Sequence, residues 1–254
     1  YPTEKLSYSF PEIQSTVLKN GSKLVLAERN SSPLVELQIV FNKGYAVETN
    51  DKLGLVNFTM SMVDEGTENY SSLEYAEKQE SLGSSISFGS SIDTTYASMS
   101  SLKVNLESTL ELLKEGLLNA NFPQVELDKV KKRWLAGIDQ ELNRPASMAN
   151  REIRALVYGS NHPYAKASSS GIKSTVETFT RDDLVEMYLK LTNPSDATFI
   201  VTGDISLNEA AEMLNDKFSS WTSDNISSED VDLFTVEDQT SPRVFLIDKP
   251  GAIQ

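Results

Sequence analysis

Few residues in this chain can do chemistry, and their spacing works against it. His162 is the one histidine in 254 residues, and cysteine is absent. A zinc site ordinarily takes three protein ligands from His, Cys and carboxylates, so a lone imidazole has no companions of its own kind. A Ser-His-Asp arrangement would have to use His162, in the loop "SNHPYAK", and no G-x-S-x-G elbow follows a strand pattern. His162 therefore reads as a structural or turn residue. Asp64 and Glu65 form the nearest approach to a carboxylate pair, but adjacent acids on a helix point to different sides, and they read as a solvated helix end. The glycine-bearing stretches "GYAVETNDKLG" and "VTGDIS" contain neither G-x-G-x-x-G nor G-x-x-x-x-G-K-[ST]. The basic run "DKVKKR", 128–133, reads as a solvated helix face, and Trp134 next to it as core.

Composition excludes whole classes of partner. Asp plus Glu number 37 against 23 Lys plus Arg, a net charge of -14, which repels phosphate backbones and anionic lipid surfaces. Nucleic acid is not an expected partner. No apolar run approaches the roughly 18 residues of a transmembrane segment, and "YPTEKLSYSF" lacks the basic and apolar regions of a signal peptide.

The elements that would position any site alternate between two periods. Asn20-Gly21 separates two apolar runs and predicts a hairpin turn. Val35, Leu37, Ile39 and Phe41 alternate with Glu36, Gln38 and Asn42, as in a half-buried strand. Leu53, Val56, Met60 and Val63 then share one helical face that runs toward Gly66. Ser71 and Glu74 have capping-box spacing ahead of a helix that Gly83 can close. A period of two returns in the serine-rich stretch, predicting antiparallel strands over 84–92 and 94–104. Helices follow through Leu106–Leu117, after Pro123 to the break at Pro145, over "MANREIRALVYG", after Thr180 and after Ser206, with "DATFIVTGDI" as a buried strand. Tight turns between consecutive strands predict an α+β fold, an antiparallel sheet with helices packed on one face. Residues 222–242, acidic and short of large apolar side chains, read as a linker.

The blocks "LKNGSKLVL", "FNKGYAVETNDKLGLVNF", "SSLEYAEKQESLGSSIS", "NANFPQVELDKVKKRWLAGIDQE", "HPYAKASSSG" and "VTGDIS" occur in an order and spacing that is similar to one domain of the pitrilysin and insulysin family. That family of zinc peptidases, the inverzincins, includes the mitochondrial processing peptidases and the bc1 core proteins. The resemblance implies a pitrilysin-type peptidase domain over 11–221, after an N-terminal extension at 1–10. The acidic linker and, at 243–254, the first strand of a following, truncated domain complete the expected organisation.

In the family, a helix carrying H-x-x-E-H binds zinc through its two histidines and polarises water with its glutamate. Gapless alignment on "GLVNFTMSMVDEGT" puts Asn57, Met60 and Ser61 in those places. A third ligand, a glutamate, falls at Gly137, and a supporting glutamate at Val130. The resemblance thus implies a degenerate motif with no catalytic, metal or cofactor-binding residue. Amide, thioether and hydroxyl groups are a poor zinc set, and Met60 cannot accept a proton from water.

The function this implies is that of a zinc-less half of a two-half zinc metalloendopeptidase. It would form a chamber wall and help hold a peptide substrate, with zinc in an active partner half or subunit. The alternative is a structural assembly subunit like the bc1 core proteins. An active hydrolase with an unrecognised site has the residue inventory against it. A periplasmic or envelope location is compatible with the acidic, cysteine-free composition.

Overall fold

The computed structural model describes residues 10–160, 162–165, 169–222, 241–248 and 251. The chain runs β1 (Ile13–Val17), β2 (Lys23–Glu28), β3 (Leu34–Phe41), α1 (Leu55–Met60), α2 (Ser72–Ser81), β4 (Ser85–Ser90) and β5 (Thr95–Leu102). It continues through α3 (Leu106–Leu118), α4 (Gln124–Leu142), α5 (Pro145–Tyr158), α6 (Lys173–Val176), α7 (Arg181–Leu191), β6 (Ala197–Gly203) and α8 (Leu207–Phe218).

The six strands form one sheet in the order β1-β2-β6-β3-β5-β4. Strict alternation on β3 sends Val35, Leu37, Ile39 and Phe41 into the core, and leaves Glu36 and Gln38 on the other face. The same alternation buries Thr95, Ala97 and Met99 on β5 and Ala197, Phe199 and Val201 on β6. Against this apolar face pack Leu110, Leu113 and Leu117 of α3, Leu184 and Tyr188 of α7, and Leu214 and Phe218 of α8. One covered face and one open face are what a sheet of alternating polarity requires.

The α+β expectation holds, with one parallel pair in the sheet. β1–β2, β3–β5, β3–β6 and β4–β5 are antiparallel, whereas β2–β6 is parallel. The reason is geometric. β2 and β3 run in opposite directions with a strand-wide gap between them, so β6, filling it, must parallel one neighbour and oppose the other.

Local signals are realised as capping chemistry. The Ser71 side chain accepts from the Glu74 N–H while Glu74 accepts from the Ser71 N–H, and Thr180 and Asp183 make the same reciprocal pair. Ser206 Oγ accepts from the Glu209 N–H. Two expectations change. α1 stops at Met60 instead of running to Val63, and the turns that follow keep Met62 and Val63 buried beside Val56, Phe58, Thr59 and Met60. Arg243–Asp248 make no strand, since no neighbouring strand offers them a ladder; Val244 and Leu246 are exposed and Arg243 Nη2 donates to the Leu156 carbonyl at 2.8 Å. Most of the expected extension and linker, 1–9 and 223–240, lies outside the described residues.

One contact ties the start of α1 to a loop more than a hundred residues further along the chain. Gly54 (φ 91°) and Gly171 (φ 71°) approach so closely that a Cβ on Gly171 would stand 2.1 Å from the Leu53 carbonyl oxygen. Thr175 Oγ1 donates to the same oxygen at 2.7 Å. Gly171→Ala combines a left-handed backbone with a clash against main chain, and should lower unfolding stability by about 2 kcal/mol or more, read from the urea midpoint. Gly159→Ala, at φ 86° with open space around it, should lose only the conformational part.

Candidate functional site

α1 is a six-residue helix and lacks a side-chain cap of its own at Gly54. A buried carboxylate from outside supplies one. Glu48 Oε2 accepts from the Gly54 N–H at 2.9 Å, and Oε1 accepts from the Val56 N–H at 2.8 Å. These are donors that a helix start leaves unpaired, and a negative charge there is favoured by the helix dipole.

α1 so placed forms one wall of a cleft of about 500 Å³. Asn57 and Ser61 come from α1, Phe88 and Gly89 from β4, and Trp134, Gly137 and Ile138 from α4. The rim includes Arg133, Glu141, Ser169 and Ser170. Three of the four aligned positions, Asn57, Ser61 and Gly137, therefore meet in space although Gly137 is far along the chain. Met60 does not join them. It is 1% exposed and belongs to the hydrophobic core. Val130 is likewise buried in that core.

The charged groups around the cleft are tied to one another. Arg133 Nη2 lies 2.7 Å from Glu65 Oε1, and Ser72 Oγ donates to Glu65 Oε2 at 3.0 Å. Arg151 is buried; its Nη1 donates to Glu141 Oε2 at 2.7 Å and to Ser170 Oγ at 3.0 Å, and its Nη2 donates to the Gly171 carbonyl. Ser170 Oγ donates to the same Glu141 oxygen at 2.9 Å. Trp134 Nε1 donates to the Ser170 carbonyl at 2.8 Å, and its ring packs edge-to-face on Phe58 at 5.4 Å.

Several expectations are corrected here. Asp64 and Glu65 are not a solvated helix end: both are half-buried, burial pushes the Asp64 carboxyl above the usual carboxylate range, and Glu65 joins α2 to α4. Within the basic run, Lys131 Nζ donates to the Phe179 carbonyl at 2.6 Å, so this face cross-links elements as well as meeting solvent. Trp134 is half-buried and walls the cleft. Sequence gave no sign of Glu48, Glu141 or Arg151, whose roles depend on partners distant in the chain. His162 is buried, stacks on Tyr158 at 5.0 Å and accepts at Nδ1 from the Tyr164 N–H at 3.0 Å, a turn-forming arrangement.

The residues at the aligned positions do not fit zinc. Ser61 Oγ donates to the Phe58 carbonyl at 2.8 Å, Met60 is turned into the core, and Gly137 has no side chain. Asn57 is left as the single side chain of the four facing the cleft uncommitted, with Nδ2 buried and lacking a hydrogen-bond partner. One amide is not a zinc-binding set. No group of three or more His, Cys, Asp or Glu with metal-binding geometry occurs among the described residues.

Residues 24–162 match the family described as insulinase, peptidase family M16. The chain belongs to that family. Residues 178–253 match the family's companion description, peptidase M16 inactive domain. β6 falls in the second match and its neighbours β2 and β3 in the first, so the two matches share one sheet. The chain is 23% identical over 192 residues to the non-peptidase homolog YmxG of Helicobacter pylori, covering 76% of this chain and 44% of YmxG. It is 24% identical over 231 residues to the probable zinc protease PqqL of Escherichia coli, covering 86% of this chain and 24% of PqqL. It thus spans less than half the length of either relative. The fold matches the crystal structure of the first half of the periplasmic protease PqqL from Escherichia coli with a TM-score of 0.77 at 22% identity, over 89% of this chain and 50% of that one.

Convergence of Asn57, Ser61 and Gly137 generates a test of the M16 frame. The triple variant Asn57→His, Ser61→His, Gly137→Glu should retain about one zinc per chain after dialysis, measured by plasma mass spectrometry, because three deprotonable ligands then face one cleft. Zinc no higher than in the parent chain would show that the frame no longer has the required geometry.

Proposed function

We propose that this chain is the non-catalytic side of an M16 zinc metallopeptidase, working with an active half or subunit that holds the zinc and does the hydrolysis. Its part is to wall the chamber in which a peptide is held and to provide surface for that peptide. The observation that carries this is the cleft between α1 and α4, where the family's ligand positions still converge but carry Asn57, Ser61 and Gly137. The carboxylate on the rim, Glu141, is tied to Arg151 and Ser170, and a shaped site without metal ligands can bind a peptide but has no metal-bound water with which to cleave it. The organisation proposed is one peptidase-like domain over 11–221, a linker at 222–242 and the start of a further domain at 243–254.

The relatives' greater length supports the partner half. PqqL is described as a probable zinc protease, and this chain spans 24% of it. A periplasmic or envelope setting is proposed by analogy with PqqL, described as periplasmic. No helix among the described residues is long and apolar enough to cross a membrane. A second function, as an assembly subunit without any role in proteolysis, is favoured by the likeness to YmxG, described as a non-peptidase homolog.

Purified alone, the chain should hold no stoichiometric zinc and cleave no unstructured peptide; tightly bound zinc with peptidase activity would refute the non-catalytic role. Combined with a zinc-bearing half that it binds, it should lower the KM for peptide hydrolysis. Binding to that half with kcat and KM both unchanged would favour the assembly role instead.

A further inference from the structure

We propose that the cleft between α1 and α4 is a binding site for a neutral peptide segment, taking an apolar side chain between Trp134 and Phe88 and an adjoining amide at Asn57. This rests on the non-catalytic reading above and adds to it the place and the chemistry of binding.

Gly137 is the first reason. It lies inside α4, half-buried, and a Cβ built on it would meet nothing within 4 Å. Glycine in a helix interior is unfavourable relative to alanine, and neither backbone nor packing requires it at this position. Gly54 and Gly171 differ, since close main-chain contact and positive φ demand them. What Gly137 provides is room in the cleft wall, within a volume of about 500 Å³ that suits a side chain and its flanking amides.

Charge is the second. Arg133 is paired with Glu65, and Glu141 with Arg151 and Ser170. The cleft's charges are thus already matched by partners of opposite sign, and a neutral ligand leaves both pairs intact. The third reason is the pair of walls. Trp134 is held in one orientation by its bond to the Ser170 carbonyl and its contact with Phe58, so an apolar group meets a preformed aromatic surface.

The fourth is Asn57. Among the described residues, the buried side-chain polar atoms without a hydrogen-bond partner are Asn57 Nδ2 and Thr59 Oγ1, both on α1. Thr59 is sealed in the interior, but Asn57 lines the cleft. The terminal torsion of asparagine is broad, so its amide can turn either end toward a ligand. A peptide amide, with one donor and one acceptor, is its complement.

The chain has two tryptophans, so its indole N–H resonances report Trp134 directly, with Trp221 as an internal control. The ¹⁵N-labelled chain is titrated with N-acetyl-leucinamide, with N-acetylglycinamide and with the α-amide of N-acetylaspartate. The leucine probe should shift Trp134 saturably in the low-millimolar range usual for so small a ligand, leaving Trp221 in place. The glycine and aspartate probes should bind several-fold more weakly. Gly137→Leu should abolish the shift by filling the cleft, and Asn57→Leu should weaken binding by about 10-fold, the worth of one hydrogen bond. Asn57→Leu also serves if the Gly137 variant does not fold. No saturable Trp134 shift in the parent chain, equal binding of all three probes, or undiminished binding in the folded variants overturns the proposal. None of these readouts depends on zinc or peptidase activity, so the non-catalytic reading stands or falls separately.

Discussion

A buried carboxylate organises the part of this molecule that matters most. Glu48 is 2% exposed and accepts from two backbone N–H groups at the start of α1. Burying an ionised group is costly unless its oxygens are bonded, and a short helix leaves its first N–H groups unpaired; each deficit answers the other. With α1 anchored in this way, the Gly54–Gly171 approach and the Thr175 hydroxyl bring the distant 169–175 segment against the same helix end. The position of one six-residue helix thus depends on a carboxylate before it and a loop far beyond it.

The cleft that results is braced by polar cross-links as well as by apolar packing. Arg151 is the one buried residue of α5, and it joins Glu141 of α4 to Ser170 and Gly171. Ser170 in turn accepts from Trp134. Removing Glu141 would deprive the buried Arg151 guanidinium of its carboxylate, which costs more than the pair itself contributes. Glu65 plays a similar part on the other side, between Ser72 and Arg133, although the exposed guanidinium makes that pair weaker.

An M16 frame without the M16 ligands shows how far architecture and chemistry can separate. The hydrophobic core asks only for apolar volume at Met60 and Val130, and it is satisfied. Zinc asks for deprotonated N, S or O donors at fixed distances, and Asn57, Ser61 and Gly137 do not supply them. The scaffold and its cleft do not by themselves specify a reaction, since function resides in a site and not in the scaffold.

Sequence by itself determined what is local or compositional. The Asn20-Gly21 turn, the alternation on β3, the capping boxes at Ser71 and Thr180, and the lack of a His or Cys ligand set all rest on neighbouring residues or on counting. Alignment to a family also located Asn57, Ser61 and Gly137, but not that Met60 would leave them for the core. Tertiary structure alone decided that β6 enters between β2 and β3, that α1 ends at Met60, and that Glu65 finds Arg133. It alone made Trp134 a cleft wall and buried Arg151. Capping and alternation act over a few residues and leave periodic traces. Burial, partner choice and strand insertion are set by contacts between residues tens to hundreds of positions apart, for which a single sequence carries no period.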